Sequence, residues 1–271
     1  MSSAVIIRRK PPTRGIVFRL LVGVLYLFLL APLLVVIVIS FSSNQYLSFP
    51  PQGFSWHWYE ILPSKQVFVS GLQTTMITAS ITTVIVLVTG VPVALALQRY
   101  EFRGKAAISA FFLSPLLVPT IVLGLGLVLV LGPIGLTNTY ASIIIGHISI
   151  TMPYVIRTTL MSLTTTDTSC EAAAKVLGAN GLTVFRMITL PIIAPGVIGG
   201  AVMAFIVSFD ELVIALFVAQ SGKPTLPVQL MNYVATSADA AVASLSVILI
   251  LFSVVVVIAV ERLVGLRRAL R

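Results

Sequence analysis

The sequence predicts an all-α membrane protein with six transmembrane helices, and two observations carry this prediction. The 271 residues are 58% hydrophobic and only 9% charged, with a mean hydropathy of +1.09, whereas a soluble domain has roughly 25% charged residues. The apolar residues also form continuous runs instead of the alternating pattern of a membrane β-barrel. A soluble globular fold is therefore excluded.

Six apolar runs match the length that a helix needs to cross a bilayer, about 20 residues for a hydrocarbon core about 30 Å thick. They lie at approximately 16–41, 68–97, 106–131, 139–163, 191–219 and 242–264. The third and fourth runs are joined by a turn, whereas the connection at 220–240 is long enough to include a short helix. Because no linker divides the chain, residues 1–271 are expected to form a single transmembrane domain.

The basic residues predict the orientation of the helices. They cluster before the first run, in every second connection and after the sixth run, whereas only Lys65 and Lys223 fall in the other connections. Since positively charged connections stay in the cytoplasm, both termini and the connection at about 164–190 are expected there. The net charge of +9 is thereby assigned to membrane-flanking segments and lipid headgroups, and no nucleic-acid partner is expected.

Aromatic side chains crowd the connection at 42–66, which holds both tryptophans, Trp56 and Trp58, together with Tyr46 and Tyr59. Tryptophan and tyrosine are enriched where a protein crosses the membrane–water interface. An interfacial aromatic belt is therefore expected, and a docking surface for an external partner is the alternative.

The connection at 164–190 begins with helix-forming signals. Thr168 and Glu171 have the spacing of a capping box, and Glu171 also precedes Lys175 by four residues, the favourable order for a helical ion pair. Cys170, the single cysteine, allows no internal disulfide and is expected to be a small packing residue. A short helix is expected here, ended by Gly178, because glycine adopts left-handed backbone geometry.

A second short helical stretch follows Gly178, with apolar Leu182 and Phe185 expected to be exposed. The simplest interpretation is a helix-turn-helix that only closes the gap between two spans. Exposed apolar side chains on a polar connection favour a docking surface for a partner instead.

This connection resembles the EAA loop of the membrane permease subunits of ABC importers. In that family an EAA triplet is followed by a glycine four residues after its last alanine, and then, after nine intervening residues, by I-x-L-P. Gly178 and Ile188-Thr189-Leu190-Pro191 match in spacing and identity, and Ala174 closes the alanine pair. The acid departs from the pattern: the expected position is Ala172, and Glu171 lies one residue earlier.

The resemblance implies that residues 164–190, the coupling loop, dock on an ATPase subunit. The residues that it assigns to this contact are Glu171, Ala172, Ala173, Gly178, Leu182, Phe185, Ile188, Leu190 and Pro191. The displaced acid leaves open whether Glu171 contacts the ATPase or only caps the helix.

The resemblance extends over residues 20–265 and implies a MetI-like permease core in a bacterial cytoplasmic (inner) membrane. Residues 49–59 and 208–230 are similar to the smaller permease subunit of spermidine/putrescine importers. They imply half of a translocation pathway for a small organic cation, with a polyamine as the first choice and an aminophosphonate or opine as alternatives. The implied partners are a dimer of ATP-binding subunits, a second homologous permease, a periplasmic or extracellular solute-binding protein and membrane lipid.

ATP is expected to bind outside this chain, which lacks a G-x-x-x-x-G-K-[ST] phosphate loop. No cofactor is expected here, with ATP and Mg on the partner ATPase, and the chain is expected to be a transport subunit. No H-E-x-x-H or nucleophile–base pattern supports an intramembrane enzyme, and no metal site is suggested. His147, within the fourth run, is expected to form a helix–helix hydrogen bond.

Asp210 and Glu211 are expected inside the fifth span. A charge at the bilayer centre costs roughly 2.5–3.5 kcal/mol by insertion measurements, so such an acid must face water or a partner. One of the two is expected to meet a cationic substrate, with Phe209 supplying a cation–π face. A structural acid is the alternative at this position, and an ion-coupled secondary transporter or channel using these acids is the alternative function.

Overall fold

The computed structural model describes residues 13–219, 222–237 and 239–264, and in these ranges every regular element is helical. The helices are α1 (Thr13–Ser40), α2 (His57–Ile61), α3 (Gln66–Arg99), α4 (Lys105–Leu113), α5 (Thr120–Leu131), α6 (Tyr140–Thr164), α7 (Ser169–Val176), α8 (Gly181–Val184), α9 (Leu190–Phe209), α10 (Val213–Val218), α11 (Leu226–Thr236) and α12 (Ala241–Val264). A π segment, Phe185–Thr189, joins α8 to α9. The all-α prediction is confirmed, as is a short helix in the last long connection.

Five stretches of helix in the described residues are long and apolar enough to cross a membrane, and the number is six if α4 and α5 form one bent span. These two helices meet at an angle of 106°. Pro115 and Pro119 lie at this bend, and proline interrupts a helix because it has no backbone N–H and its ring clashes with the preceding turn. The expectation of one continuous helix at 106–131 is therefore wrong, although six spans can still be counted.

The described residues divide into two compact units, residues 13–62 with 239–249 and residues 63–237 with 250–264. In the first unit, the indole of Trp58 donates a hydrogen bond to the carbonyl of Ser42 at 2.8 Å. The hydroxyl of Tyr59 donates to Ser40 Oγ, also at 2.8 Å. These bonds fold the segment after α1 back onto the end of that helix.

The second unit is built around α3, α6 and α9, which pack against one another. Val86, Val155, Ile156 and Ile193 from these helices are completely buried. Gly196 allows α9 to approach α6 closely, since a Cβ there would lie 2.7 Å from the carbonyl oxygen of Thr158. Small residues at such contacts are typical of membrane helices.

A buried hydrogen bond also joins α6 to α9. His147 Nδ1 lies 2.7 Å from Ser208 Oγ, and both side chains are almost completely inaccessible. The predicted helix–helix role of His147 is confirmed.

Candidate functional site

Helix α7 of the coupling loop is capped one residue earlier than the sequence predicts. Asp167 Oδ1 accepts a hydrogen bond from the backbone N–H of Ser169 at 2.9 Å, and Oδ2 accepts from the Ser169 hydroxyl at 2.8 Å. These bonds favour the ionised carboxylate and lower the pKa of Asp167. Thr168 makes no side-chain cap bond. The predicted capping box of Thr168 and Glu171 is therefore wrong, because Asp167 supplies the acceptor instead.

Gly178 ends α7 as predicted. Its φ is +86°, and two backbone bonds close the helix end: Gly178 N–H donates to the carbonyl of Lys175 and Ala179 N–H donates to that of Ala174, both at 3.0 Å. This is the Schellman arrangement, in which the left-handed residue is usually glycine. A Cβ at Gly178 would meet nothing within 4 Å, so the backbone conformation alone calls for glycine here.

The chain re-enters helix at α8 through an asparagine cap. Asn180 Oδ1 accepts from the backbone N–H of Thr183 at 2.8 Å, the bond expected of an N-cap residue. From α8 the backbone continues through the π segment into α9, whose first turn contains Pro191.

Glu171 is paired with two distant parts of the chain. Its Oε1 lies 2.7 Å from Arg99 Nη2 at the end of α3 and accepts from Thr189 Oγ1 at 3.0 Å. The side chains of Arg99 and Glu171 are only 22% and 12% exposed. Glu171 thus points to Arg99 rather than to Lys175, and the predicted ion pair with Lys175 is wrong. Because Arg99 and Glu171 are 72 positions apart, no local sequence pattern predicts this ion pair.

The coupling loop exposes a row of large apolar side chains. Val176, Leu177, Leu182 and Met187 are 66–88% exposed; only Leu182 was singled out from the sequence. Phe185, expected to be exposed, is half-buried and packs against the core between α3, α6 and α9. Its place at the start of the π segment turns it inward.

The other predicted loop residues fall into two groups. Ala172, Ala173, Gly178 and Pro191 are exposed together with Leu182, whereas Ile188 and Leu190 are half-buried like Glu171 and Phe185. Cys170, expected to pack, is exposed instead.

The two acids lie at the break between α9 and α10, directly after the long apolar helix that forms the fifth span. Helix α9 ends at Phe209, and α10 begins only at Val213. Asp210 is exposed, and Glu211 Oε1 accepts from the backbone N–H of Ile214 at 2.9 Å, so that it caps α10. The expectation of one continuous helix at 191–219 containing both acids is wrong. Irregular backbone at membrane depth is tolerated where it is buried in protein or lines a water-filled cavity.

Phe209, next to this break, belongs to an aromatic stack. Its ring lies 5.9 Å from that of Phe205 and 5.4 Å from that of Phe252, centroid to centroid. Phe217 instead packs against Gly124 of α5. Among the residues that the structure describes, no group of three or more His, Cys, Asp or Glu side chains could hold a metal ion.

Comparison with known proteins places this architecture in a family. Residues 87–268 match the model of the binding-protein-dependent transport system inner membrane component. The spermidine/putrescine transport system permease protein PotC of Haemophilus influenzae is 31% identical over 236 residues, covering 87% of this chain and 91% of that protein. The putrescine transport system permease protein PotI of Escherichia coli strain K12 is 32% identical over 218 residues, covering 77% and 76%.

Solved structures share the fold at lower sequence identity. A chain of a bacterial ABC transporter involved in the import of the acidic polysaccharide alginate superposes with a TM-score of 0.69 at 19% identity, over 97% of this chain and 99% of that one. A chain of the MetNI methionine ABC transporter, in an inward-facing conformation, gives 0.62 at 20% identity, over 75% and 97%. The predicted MetI-like core is confirmed.

Together, the helix-glycine-helix loop, the membrane spans and these matches establish the chain as a transport subunit and not an enzyme. It belongs to the family of binding-protein-dependent transport system inner membrane components, as a permease subunit of an ABC importer.

Proposed function

We propose that this permease forms half of the translocation pathway of a polyamine importer and is driven through its coupling loop by a separate ATPase. The observation that carries the coupling is the exposed apolar row of Val176, Leu177, Leu182 and Met187. These side chains stand on a loop whose two short helices are fixed by Gly178 and Asn180. An exposed apolar surface with polar surroundings is typical of a protein-binding site.

The proposed partners follow from the family of this chain and from its sequence, which contains no phosphate loop for ATP. A dimer of ATP-binding subunits would hold ATP and Mg, a second homologous permease would complete the pathway, and a solute-binding protein would deliver the substrate. The positions of the basic residues support an inner-membrane orientation with both termini and the coupling loop in the cytoplasm.

The named relatives and the break after α9 both support a cationic substrate. PotC and PotI are named for spermidine and putrescine transport, and these substrates are organic polycations. Asp210 offers an exposed carboxylate at the break, directly after Phe209 in the chain. A carboxylate attracts an ammonium group, and an aromatic face adds a cation–π contact. An aminophosphonate or an opine is the alternative solute within the same family.

Reconstitution of the permease with its partner subunits in proteoliposomes tests both parts of this proposal. Putrescine uptake should require ATP, and the ATPase should co-purify with the permease. Asp210→Asn should raise the KM for putrescine about tenfold, the effect of losing one charged hydrogen bond of roughly 1.5 kcal/mol. Glu60→Gln, outside the helix break, is the control for loss of one acid.

Uptake of putrescine by Asp210→Asn with an unchanged KM, at equal expression, would remove Asp210 from the pathway. Uptake of an aminophosphonate with no uptake of polyamine would replace the substrate but keep the ATPase coupling. ATP-independent uptake would contradict the coupling itself.

A further inference from the structure

We propose that Arg99, Glu171 and Thr189 form a clamp that fixes α7 to the ends of α3 and α9, so that a displacement of the coupling loop moves these spans. This inference rests on the proposed docking of the loop on an ATPase, and it gives Glu171 a role other than contact with that partner. Glu171 is then a positioning residue that acts within its own chain.

Packing alone holds α7 weakly. The helix has only eight residues and none of them is buried, and so short a helix is marginal in water without tertiary support. A groove of about 530 Å³ also lies beside it, lined by Leu95 and Tyr100 from the α3 side and by Ala172 and Lys175 from α7. Contacts that span this groove therefore determine whether α7 moves together with the membrane helices.

Glu171 makes those contacts, with a single oxygen bound by Arg99 and Thr189. Hydrogen bonds to a charged group are shorter and stronger than neutral ones. Both members of the ion pair are largely shielded from water, so removal of either charge leaves the other unpaired in a partly desolvated place. Breaking the clamp from one side should therefore cost more than breaking an ordinary surface salt bridge.

Thr189 connects the clamp to α9. It is buried, it is the last residue of the π segment, and α9 begins at the next residue, Leu190. Arg99 is the last residue of α3. A push on α7 is therefore delivered to the terminal residues of two spans that pack against each other in the core. Without the clamp, the connections on either side of α7 would absorb the motion.

A second ion pair supplies a matched control. Lys105 Nζ lies 2.7 Å from Glu101 Oε1, close in sequence to Arg99, but Glu101 is 89% exposed. It joins residues only four positions apart, and exposed pairs of this kind contribute little to stability. Glu101→Gln removes one acid near the same end of α3 without touching the clamp.

The clamp can be tested first in the permease alone, because Cys170 is the only cysteine and is exposed on α7. A nitroxide attached to Cys170 reports the motion of α7 by electron paramagnetic resonance. Glu171→Gln and Arg99→Gln should each raise the mobility of the label. The double substitution Arg99→Gln/Glu171→Gln should raise it no further, because each single substitution already breaks the same ion pair. Glu101→Gln should leave the spectrum unchanged.

Transport by the complete reconstituted complex then tests the coupling. Glu171→Gln should lower the putrescine transported per ATP hydrolysed about tenfold, as expected for one charged hydrogen bond, while the ATPase still co-purifies. The swapped pair Arg99→Glu/Glu171→Arg should recover part of this loss, which a merely misfolded loop would not do.

Three results would overturn the clamp: an unchanged label spectrum in Glu171→Gln, additive effects of the two single substitutions, or loss of the ATPase subunit from Glu171→Gln while Arg99→Gln retains it. The last result would make Glu171 a contact with the ATPase. If the wild-type permease binds no ATPase at all, the proposed function fails, but the spectra of the permease alone still decide the clamp.

Discussion

Two surfaces of this permease expose large apolar side chains, and they differ in charge. The coupling loop carries Asp167, Glu171, Lys175 and Arg186 among its residues 164–190, whereas residues 41–59, the aromatic segment, carry none. The charge-free stretch in fact runs from Leu20 to Tyr59, well beyond the end of α1. Exposed apolar residues among charges suit a protein partner in water, whereas a charge-free aromatic surface beside a span suits lipid headgroups.

The aromatic segment is ordered by its own contacts. Backbone bonds join Ser43 N–H to the carbonyl of Gly53 at 3.0 Å and Ser55 N–H to that of Phe41 at 2.7 Å. The rings of Phe41 and Trp56 meet edge to face with centroids 4.8 Å apart. Phe54 and Trp56 nevertheless remain largely exposed. These contacts hold an apolar surface in place at the end of α1.

A matched pair of apolar-to-acidic substitutions should separate the two surfaces most clearly. Leu182→Asp in the coupling loop should lower ATPase co-purification at least tenfold, because it places a charge in the proposed apolar interface. Phe54→Asp should leave ATPase binding intact. Co-purification and expression are measured side by side in the same detergent. Equal retention of the ATPase by both variants would show that the apolar row of the coupling loop is not its docking surface.

The two tryptophans of the aromatic segment should show a smaller but direct effect. Trp56 is 65% exposed and Trp58 only 7%, and they are the only two in the chain. Trp58→Phe leaves Trp56 as the only fluorescent tryptophan, and Trp56→Phe leaves Trp58. Brominated phosphatidylcholine should quench the fluorescence of Trp56 severalfold more than that of Trp58.

Acrylamide in the aqueous phase serves as the opposing quencher. If acrylamide quenches Trp56 strongly and the solute-binding protein relieves this quenching, the aromatic segment contacts that protein and not lipid. Anionic lipid should not change the result, because the segment carries no positive charge that would select it.

The smallest expected effect concerns pH at the coupling loop. The pKa of Asp167 is lowered by the bonds from Ser169, so its cap is fully present above the ordinary aspartate pKa of about 3.9 and is lost as pH falls through the lowered value. The measurement is made in Glu171→Gln, so that the second acid of the loop cannot titrate. There a nitroxide on Cys170 should report constant α7 mobility from about pH 8 to pH 5 and a rise only below about pH 4. Adding Asp167→Asn, which keeps an acceptor, should remove this dependence. A rise near neutral pH would assign the change to another group.

Local sequence patterns predicted the spans and the break at Gly178 because hydropathy and left-handed geometry are local properties. The pairing of Arg99 with Glu171 joins residues 72 positions apart, so only the packing of α3 against α6 and α9 brings them together. The break at Asp210 was missed because the apolar run continues through it to residue 219. Hydropathy predicts which residues lie in the membrane, but it does not predict that the carboxylate of Glu211 caps a new helix.

The π segment links the number of residues in the coupling loop to the direction in which the loop faces. In Phe185–Thr189 the backbone bonds reach one residue farther than in an α-helix, as in the bond from Leu190 N–H to the carbonyl of Phe185, so one extra residue is accommodated without interrupting the helix. Deleting one residue between Gly181 and Thr189 would return this turn to ordinary α winding and leave Leu182 facing nearly the same direction, because the wider turn already absorbs the extra residue. Inserting a further residue into a stretch that keeps its present winding would instead rotate everything before it by about 100° around the axis of α9. The π segment therefore sets how many residues can separate Gly178 from Pro191 while Leu182 keeps its direction.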